Sequence, residues 1–207
     1  MPNTTPNIAR LREDQIDIAA NILARAFQLD PPMVYTVPDA AERARLLPSF
    51  MKTFVTYASV FGDPLTTAEK PEAVALWLPL DDLRETPERD RQAGIDQIPA
   101  ILGTEAFRRM MHIAEISGRF HRRSASGKHL YLMFLGVEPS RQGQGLGSAL
   151  IGAMLARADA EGLPCYLDTF QPRNVPLYQK HGFKITIEEV EPNSGMRGWA
   201  FLREPRS

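Results

Sequence analysis

The chain has 207 residues, 43% hydrophobic and 24% charged, with a formal charge of −1. That balance describes a folded domain with elaborations and excludes a disordered polymer. The near-neutral charge removes the electrostatic case for a nucleic-acid partner, and no apolar run is long enough to span a bilayer.

Residues 1–6 read as a disordered tail ahead of a single domain over 7–207. The first seven residues lack a basic region followed by an apolar stretch, so no secretory signal is expected. Residues 8–11 form a short candidate strand. Ile18, Ala19, Ile22, Leu23, Ala26 and Phe27 then follow helical spacing until Pro31-Pro32, which should stop the helix. Asp39, with Glu42 three residues on, predicts the start of a second helix. Its buried stripe is Leu46, Leu47, Phe50, Met51, Phe54 and Val55, and Gly62 is its stop.

Two strands are expected over 65–69 and 73–78. The second is apolar throughout and should run centrally, covered on both faces. Residues 81–128 read as a helical insertion, with Ile95, Ile98, Ile101 and Leu102 on one helix. Phe107, Met110, Met111, Ala114 and Ile116 mark another. The basic spot Arg119-Phe120-His121-Arg122-Arg123 reads as a solvated loop face.

A strand over 130–138 precedes a glycine cluster, and a helix carrying Leu146, Leu150, Ile151, Met154, Leu155 and Ala158 follows it, ending at Gly162. A strand over 164–170, a short helix capped by Asn174, and a hairpin of 183–190 with 199–203 complete the chain. Such an order makes a mixed sheet with helices on its faces. Cys165 is the single cysteine, so no internal disulfide and no cysteine-based zinc site is available. A reducing compartment, by default the cytoplasm, fits.

The cluster Arg141-Gln142-Gly143-Gln144-Gly145-Leu146-Gly147-Ser148 carries the chemistry. A glycine-rich turn between a strand and a helix start presents free N–H groups and the positive end of a helix dipole to an anion. Glycines at 143, 145 and 147 keep side chains away from those donors, and Arg141 and Gln142 can add their own. No lysine follows the cluster, so it is not a phosphate-binding P-loop. The glycines are spaced two and two, not as G-x-G-x-x-G, and they lie late in the chain, which disfavours a dinucleotide fold.

Gln142-Gly143-Gln144-Gly145-Leu146-Gly147 resembles the Q/R-x-x-G-x-G/A signature of the GNAT acetyltransferase superfamily. The strand before it resembles that family's splayed fourth strand. Downstream, the run from Leu167 to Phe183, with Asn174, Tyr178 and Gly182-Phe183, resembles the family's second cofactor segment. The resemblance implies a mixed, mostly antiparallel twisted sheet of about six or seven strands with helices on both faces, an α/β (α+β) fold. It implies acetyl-coenzyme A as co-substrate and no metal. Backbone groups around Leu135, Gly136 and Val137 would pair with pantetheine, and one N–H would polarise the thioester carbonyl. Asn174 would lie at the pantetheine arm and Tyr178 near the sulfur. A phenol, with its pKa near about 10, stays protonated at neutral pH and can donate to a leaving thiolate.

Residues 75–79, the insertion with 120–123, and residues 199–205 look similar to the puromycin N-acetyltransferase-like branch, which implies a small-molecule amine as acceptor. Acetylation of a protein N-terminus or lysine, and a non-catalytic coenzyme A sensor, are the alternatives. The residue that takes the amine's proton is left open among Glu138, Glu115, His112, His121 and His129. Cys165, in an apolar strand without an adjacent histidine, is not expected to be a nucleophile. The oligomeric state is not legible.

Overall fold

The computed structural model describes residues 6–80 and 86–206. The expected tail over 1–6 lies outside these residues except for Pro6, as does the first part of the insertion. Seven strands run β1 (Ile8–Arg10), β2 (Asp63–Thr67), β3 (Ala73–Leu80), β4 (His129–Val137), β5 (Cys165–Thr169), β6 (Lys184–Val190) and β7 (Arg197–Arg203). The sheet order is β1-β2-β3-β4-β5-β7-β6, and every pairing is antiparallel except β4 with β5. The expected mixed sheet is thus present.

β3 is the central strand anticipated from its composition. Val74, Leu76 and Leu78 face one layer of helices, and Ala73, Ala75 and Trp77 face the other. Both faces of the pleat are dry, so no polar alternation survives in the sequence. The first layer is α1 (Ile16–Ala26) and α3 (Ala40–Phe61), bringing Leu23, Leu47, Phe50 and Met51 against the sheet. The opposite layer is α7 (Leu146–Glu161), bringing Leu150, Ile151 and Met154. Over the later strands lies α6 (Thr104–Ser124), whose Ile113, Ile116 and Phe120 pack on Tyr166, Phe170 and Ala200.

Local signals explain most boundaries. The Asp39 side chain accepts the Glu42 N–H at 2.7 Å and caps α3. Gly162, at φ 66°, closes α7 as the sequence suggests. The prolines after α1 act differently from expectation: Pro31 and Pro32 open a further helix, α2 (Pro31–Thr36). At the first helical positions a missing N–H costs nothing.

The insertion is more broken than its periodicity implied. It comprises α4 (Pro87–Ala93), a 3-10 turn at Ile95–Gln97, α5 (Ile98–Leu102) and then α6. Residues 120–123 belong to the last turns of α6, not to a loop, and Met111 is exposed on that helix. No helix among the described residues is long and apolar enough to cross a membrane.

Two irregularities in β4 prepare the site. Leu76 pairs with Phe134 and Trp77 with Leu132, so Met133 is an extra, bulged residue. Met133 and Phe134 consequently point to the same face, where both pack on the α1 and α3 side. The second irregularity is the brevity of the β4–β5 pairing. Only Leu130 with Cys165 and Tyr131 with Tyr166 are in register, and beyond them the strands part.

Candidate active site

The parting of β4 and β5 leaves one side of β4 without a ladder partner from Leu132 to Val137. The Glu138 N–H bonds the Glu72 carbonyl on the β3 side at 2.8 Å. By the two-residue alternation of a strand, the N–H groups of Val137 and Leu135 therefore turn into the gap, while that of Gly136 turns to β3. Gly136 is a glycine for another reason. A Cβ there would come within 2.7 Å of Leu23 Cδ2 and 3.1 Å of Ala26 Cβ on α1.

The glycine loop lies at the outer end of this gap. Gly143 and Gly145 hold φ of 77° and 83°, a region that side chains disfavour, and nothing stands within 4 Å of a Cβ on either. Gly147 is ordinary helix. No side chain caps α7 at Gly145, so the first-turn N–H groups, from Leu146 through Ser148, have no side-chain partner. Gln142 Nε2 donates to the Val137 carbonyl at 3.2 Å, pinning the loop to the strand, and Arg141 pairs with Glu72 at 3.1 Å. Gln144 is exposed. The Ser148 hydroxyl is taken by His181 at 3.1 Å. Bare N–H groups, a helix dipole and no carboxylate in the first turn of α7 fit a pyrophosphate.

Tyr178 is buried on α8 (Val175–Lys180), with its ring against Phe183 and Phe201. Its hydroxyl makes no hydrogen bond among the described residues. Burial, then Asp30 and Asp168, push this phenol well above its ordinary range, so it stays protonated. Asn174 ends a 3-10 turn in helical conformation, and its side chain makes no capping hydrogen bond. The cap expected there is absent because the chain is already turning, which leaves the amide free.

Asp168 and Asp30 were not singled out by sequence reasoning. Asp168 Oδ2 accepts from Ser117 Oγ of α6 at 2.8 Å, and Oδ1 from the Tyr131 hydroxyl of β4 at 3.2 Å. The Tyr166 hydroxyl, buried without a normal hydrogen bond, leans on the same carboxylate. Desolvation raises the Asp168 carboxyl above its usual range. Asp30, between α1 and α2, is pushed up to about 7 by burial, opposed only by Arg173. An aspartate within a short apolar strand carries no spacing signal of its own. Only the fold brings Ser117 and Tyr131 to it.

Four of the five candidate bases have partners elsewhere, and the fifth, Glu115, lies open on the surface. Glu138 forms a bidentate pair with Arg25, at 3.0 and 2.6 Å. Glu115 is exposed, on an open depression it shares with Arg108 and Arg122. His112 lies 3.2 Å from Glu191, a carboxylate already held by Asn193 and Ser194. His121 Nε2 and His129 Nε2 are 2.7 Å apart, and His129 Nδ1 meets the Gly127 carbonyl. Burial also pushes the Cys165 thiol up to about 12, which keeps it unreactive.

The histidine pair makes a testable contribution to acid stability. His121 stacks on Tyr166 at 4.4 Å, and burial, then His129 and Arg122, lower its imidazole to about 4. An unfolded histidine takes up a proton near about 6.5. Stability from the neutral His121 ring is therefore full above that pH and drains away as the pH falls towards about 4. His121→Phe keeps the stacking and removes the titration. Between pH 7 and 5 its Tm should fall less than that of the unaltered protein; equal slopes would dismiss the contribution.

Known proteins resemble the chain in sequence and in fold. Residues 76–183 match the acetyltransferase (GNAT) family. A curated relative, an uncharacterised N-acetyltransferase of Schizosaccharomyces pombe, is 25% identical over 196 residues, covering 91% of this chain and 79% of its own. Among solved structures, one described as histone acetyltransferase HPA2 and related acetyltransferase, from Corynebacterium glutamicum, superposes with a TM-score of 0.74 at 20% identity, covering 99% of this chain and 98% of that one. Arylalkylamine N-acetyltransferase 2 from Aedes aegypti gives 0.62 at 14% identity, over 97% and 99%. A polyamine N-acetyltransferase of Drosophila melanogaster, described as forming N-acetylagmatine, gives 0.61 at 16%, over 96% and 99%.

Proposed function

The chain belongs to the acetyltransferase (GNAT) family and is an N-acetyltransferase; from that premise we propose that its donor is acetyl-coenzyme A and its acceptor the amine of a small molecule, which attacks directly within a ternary complex. The observation that carries this reading is the early parting of β4 from β5. It leaves a strand edge running from an anion-binding helix start to an unpartnered phenol.

Acetyl-coenzyme A supplies an acetyl group already activated as a thioester. The bare N–H groups of the loop and the start of α7 hold the pyrophosphate. The N–H groups of Leu135 and Val137 extend the sheet onto pantetheine, and one of them polarises the thioester carbonyl from a fixed position. The free Asn174 amide reaches the same arm. Tyr178 holds a proton beside the leaving sulfur. Cys165, inert and facing the α7 core, is not a nucleophile for a covalent enzyme intermediate.

Relatives named for arylalkylamines and polyamines support a small amine as acceptor. Cytoplasmic residence, expected from the single cysteine, is part of the same proposal. Incubation with acetyl-coenzyme A and a panel of phenethylamine, agmatine and a lysine-bearing peptide, with thiol release as readout, tests it. Turnover should favour the small amines. Thermal stabilisation by coenzyme A without any turnover would leave a sensor and defeat the proposal.

A further inference from the structure

We infer that Asp168 anchors the incoming amine as its ammonium ion and then takes its proton, so that the acceptor is a cationic primary alkylamine; this rests on the N-acetyltransferase reading above. Asp168 lies two residues past Tyr166, the last residue of β5 in register with β4. It stands where the strands diverge, and its charge is felt at the Tyr178 hydroxyl.

The coordination of Asp168 is incomplete in a way that suits an ammonium. Ser117 and Tyr131 each give one hydrogen bond, to different oxygens, at 2.8 and 3.2 Å, and the Tyr166 hydroxyl leans on the same carboxylate without a normal hydrogen bond. Both donors are neutral, and an ionised carboxylate offers about four acceptor directions. No Lys, Arg or His forms an ion pair with it among the described residues. Two other packed acids, Asp159 and Glu191, are compensated. Asp159 receives both arms of the Arg203 guanidinium at 2.8 Å, and Glu191 is held by two backbone N–H groups and the Asn193 amide. A desolvated carboxylate without a cation is costly to retain. Asp168 is walled by protein yet not closed to solvent, so the missing cation can arrive from outside.

Asp30 is the rival, since it too lacks a partner and lies near Tyr178. It differs in sitting on the connection between α1 and α2, without side-chain donors to orient it and with Arg173 in electrostatic reach. Asp168 is aimed from two elements, β4 and α6.

In the step itself one ammonium N–H bond breaks and its proton passes to an Asp168 oxygen. The nitrogen lone pair then forms the N–C bond to the acetyl carbon. The C–S bond breaks and its electron pair leaves on sulfur. The second proton lost by nitrogen balances the one that sulfur gains through Tyr178, and Asp168 returns its proton to water. One proton is released overall, and nothing is oxidised or reduced.

The test compares Asp168→Asn, Asp30→Asn and Ser117→Ala with the unaltered full chain, using the panel amine that it acetylates fastest. Asp168→Asn should lower kcat/KM by about 100-fold or more. Calorimetry with coenzyme A bound should show that amine held about tenfold more weakly, with coenzyme A affinity and Tm unchanged. Ser117→Ala, which keeps the carboxylate but frees one oxygen, should give a smaller loss of the same kind, and decides the matter if Asp168→Asn does not fold. Near-normal turnover and amine binding in these variants, or losses confined to Asp30→Asn, overturns the inference and leaves the acetyltransferase reading intact. Failure of the unaltered protein to acetylate any panel amine removes both.

Discussion

Gly145→Glu should leave the protein folded and unable to hold coenzyme A. The folded cost is bounded by what surrounds the residue: a Cβ at Gly145 meets nothing within 4 Å, so the burden is the φ of 83°. For a residue with a side chain that strain is about 1–2 kcal/mol. The carboxylate, by contrast, would stand at the first N–H groups of α7, where it would occupy the helix start as an internal anion. Competition with a pyrophosphate at that place should weaken coenzyme A binding by at least about 100-fold, near 3 kcal/mol. Gly162→Ala supplies the control, because it carries comparable strain, at φ 66°, on the opposite end of the same helix. It should cost Tm without touching affinity, as read by calorimetry. A Gly145→Glu protein that binds coenzyme A normally would move the pyrophosphate site elsewhere.

Tyr178→Phe should lower turnover by about 100-fold or more while coenzyme A affinity stays within a factor of about two. The substitution removes one oxygen and leaves the ring packed on Phe183 and Phe201. Since the hydroxyl has no hydrogen-bond partner among the described residues, its removal leaves no orphaned donor behind and should not unfold the protein. Equal losses in kcat and in cofactor binding would make Tyr178 a packing residue.

The backbone of this site was legible in sequence because its physics is local. Gly143 and Gly145 follow an apolar strand and open a helix, and each of those features reads from a few adjacent residues. Tyr178 entered the reading through a resemblance that spans a contiguous segment. What escaped reading was assembled across distance. Asp168 enters the proposal because Ser117, 51 positions away, and Tyr131, 37 positions away, reach it. No periodicity in the chain reports such a meeting.

Local signals with two meanings were misread in the same spirit. Pro31-Pro32 reads as a helix stop, but α1 has already closed at Ala26 and the prolines open α2, where the missing N–H costs nothing. Asn174 has a cap's side chain but a helical backbone. Met111 keeps helical spacing yet faces solvent, since hydrophobic spacing alone does not say which side a neighbour will cover. The central strand β3 was read correctly because an uninterrupted apolar run has only one stable place in a sheet.

The short seam between β4 and β5 also has a mechanical consequence. Antiparallel ladders run through β1 to β4 on one side and through β5, β7 and β6 on the other, but two residue pairs alone join the blocks. Tilting one block against the other strains few hydrogen bonds, whereas bending either block strains many. The sheet is therefore stiff within its halves and compliant along one line, and that line is the floor of the groove. Its width answers to whatever fills it and to the helices that lean across it. A cofactor lying there would serve as a temporary strand, bracing the molecule where its own backbone does not.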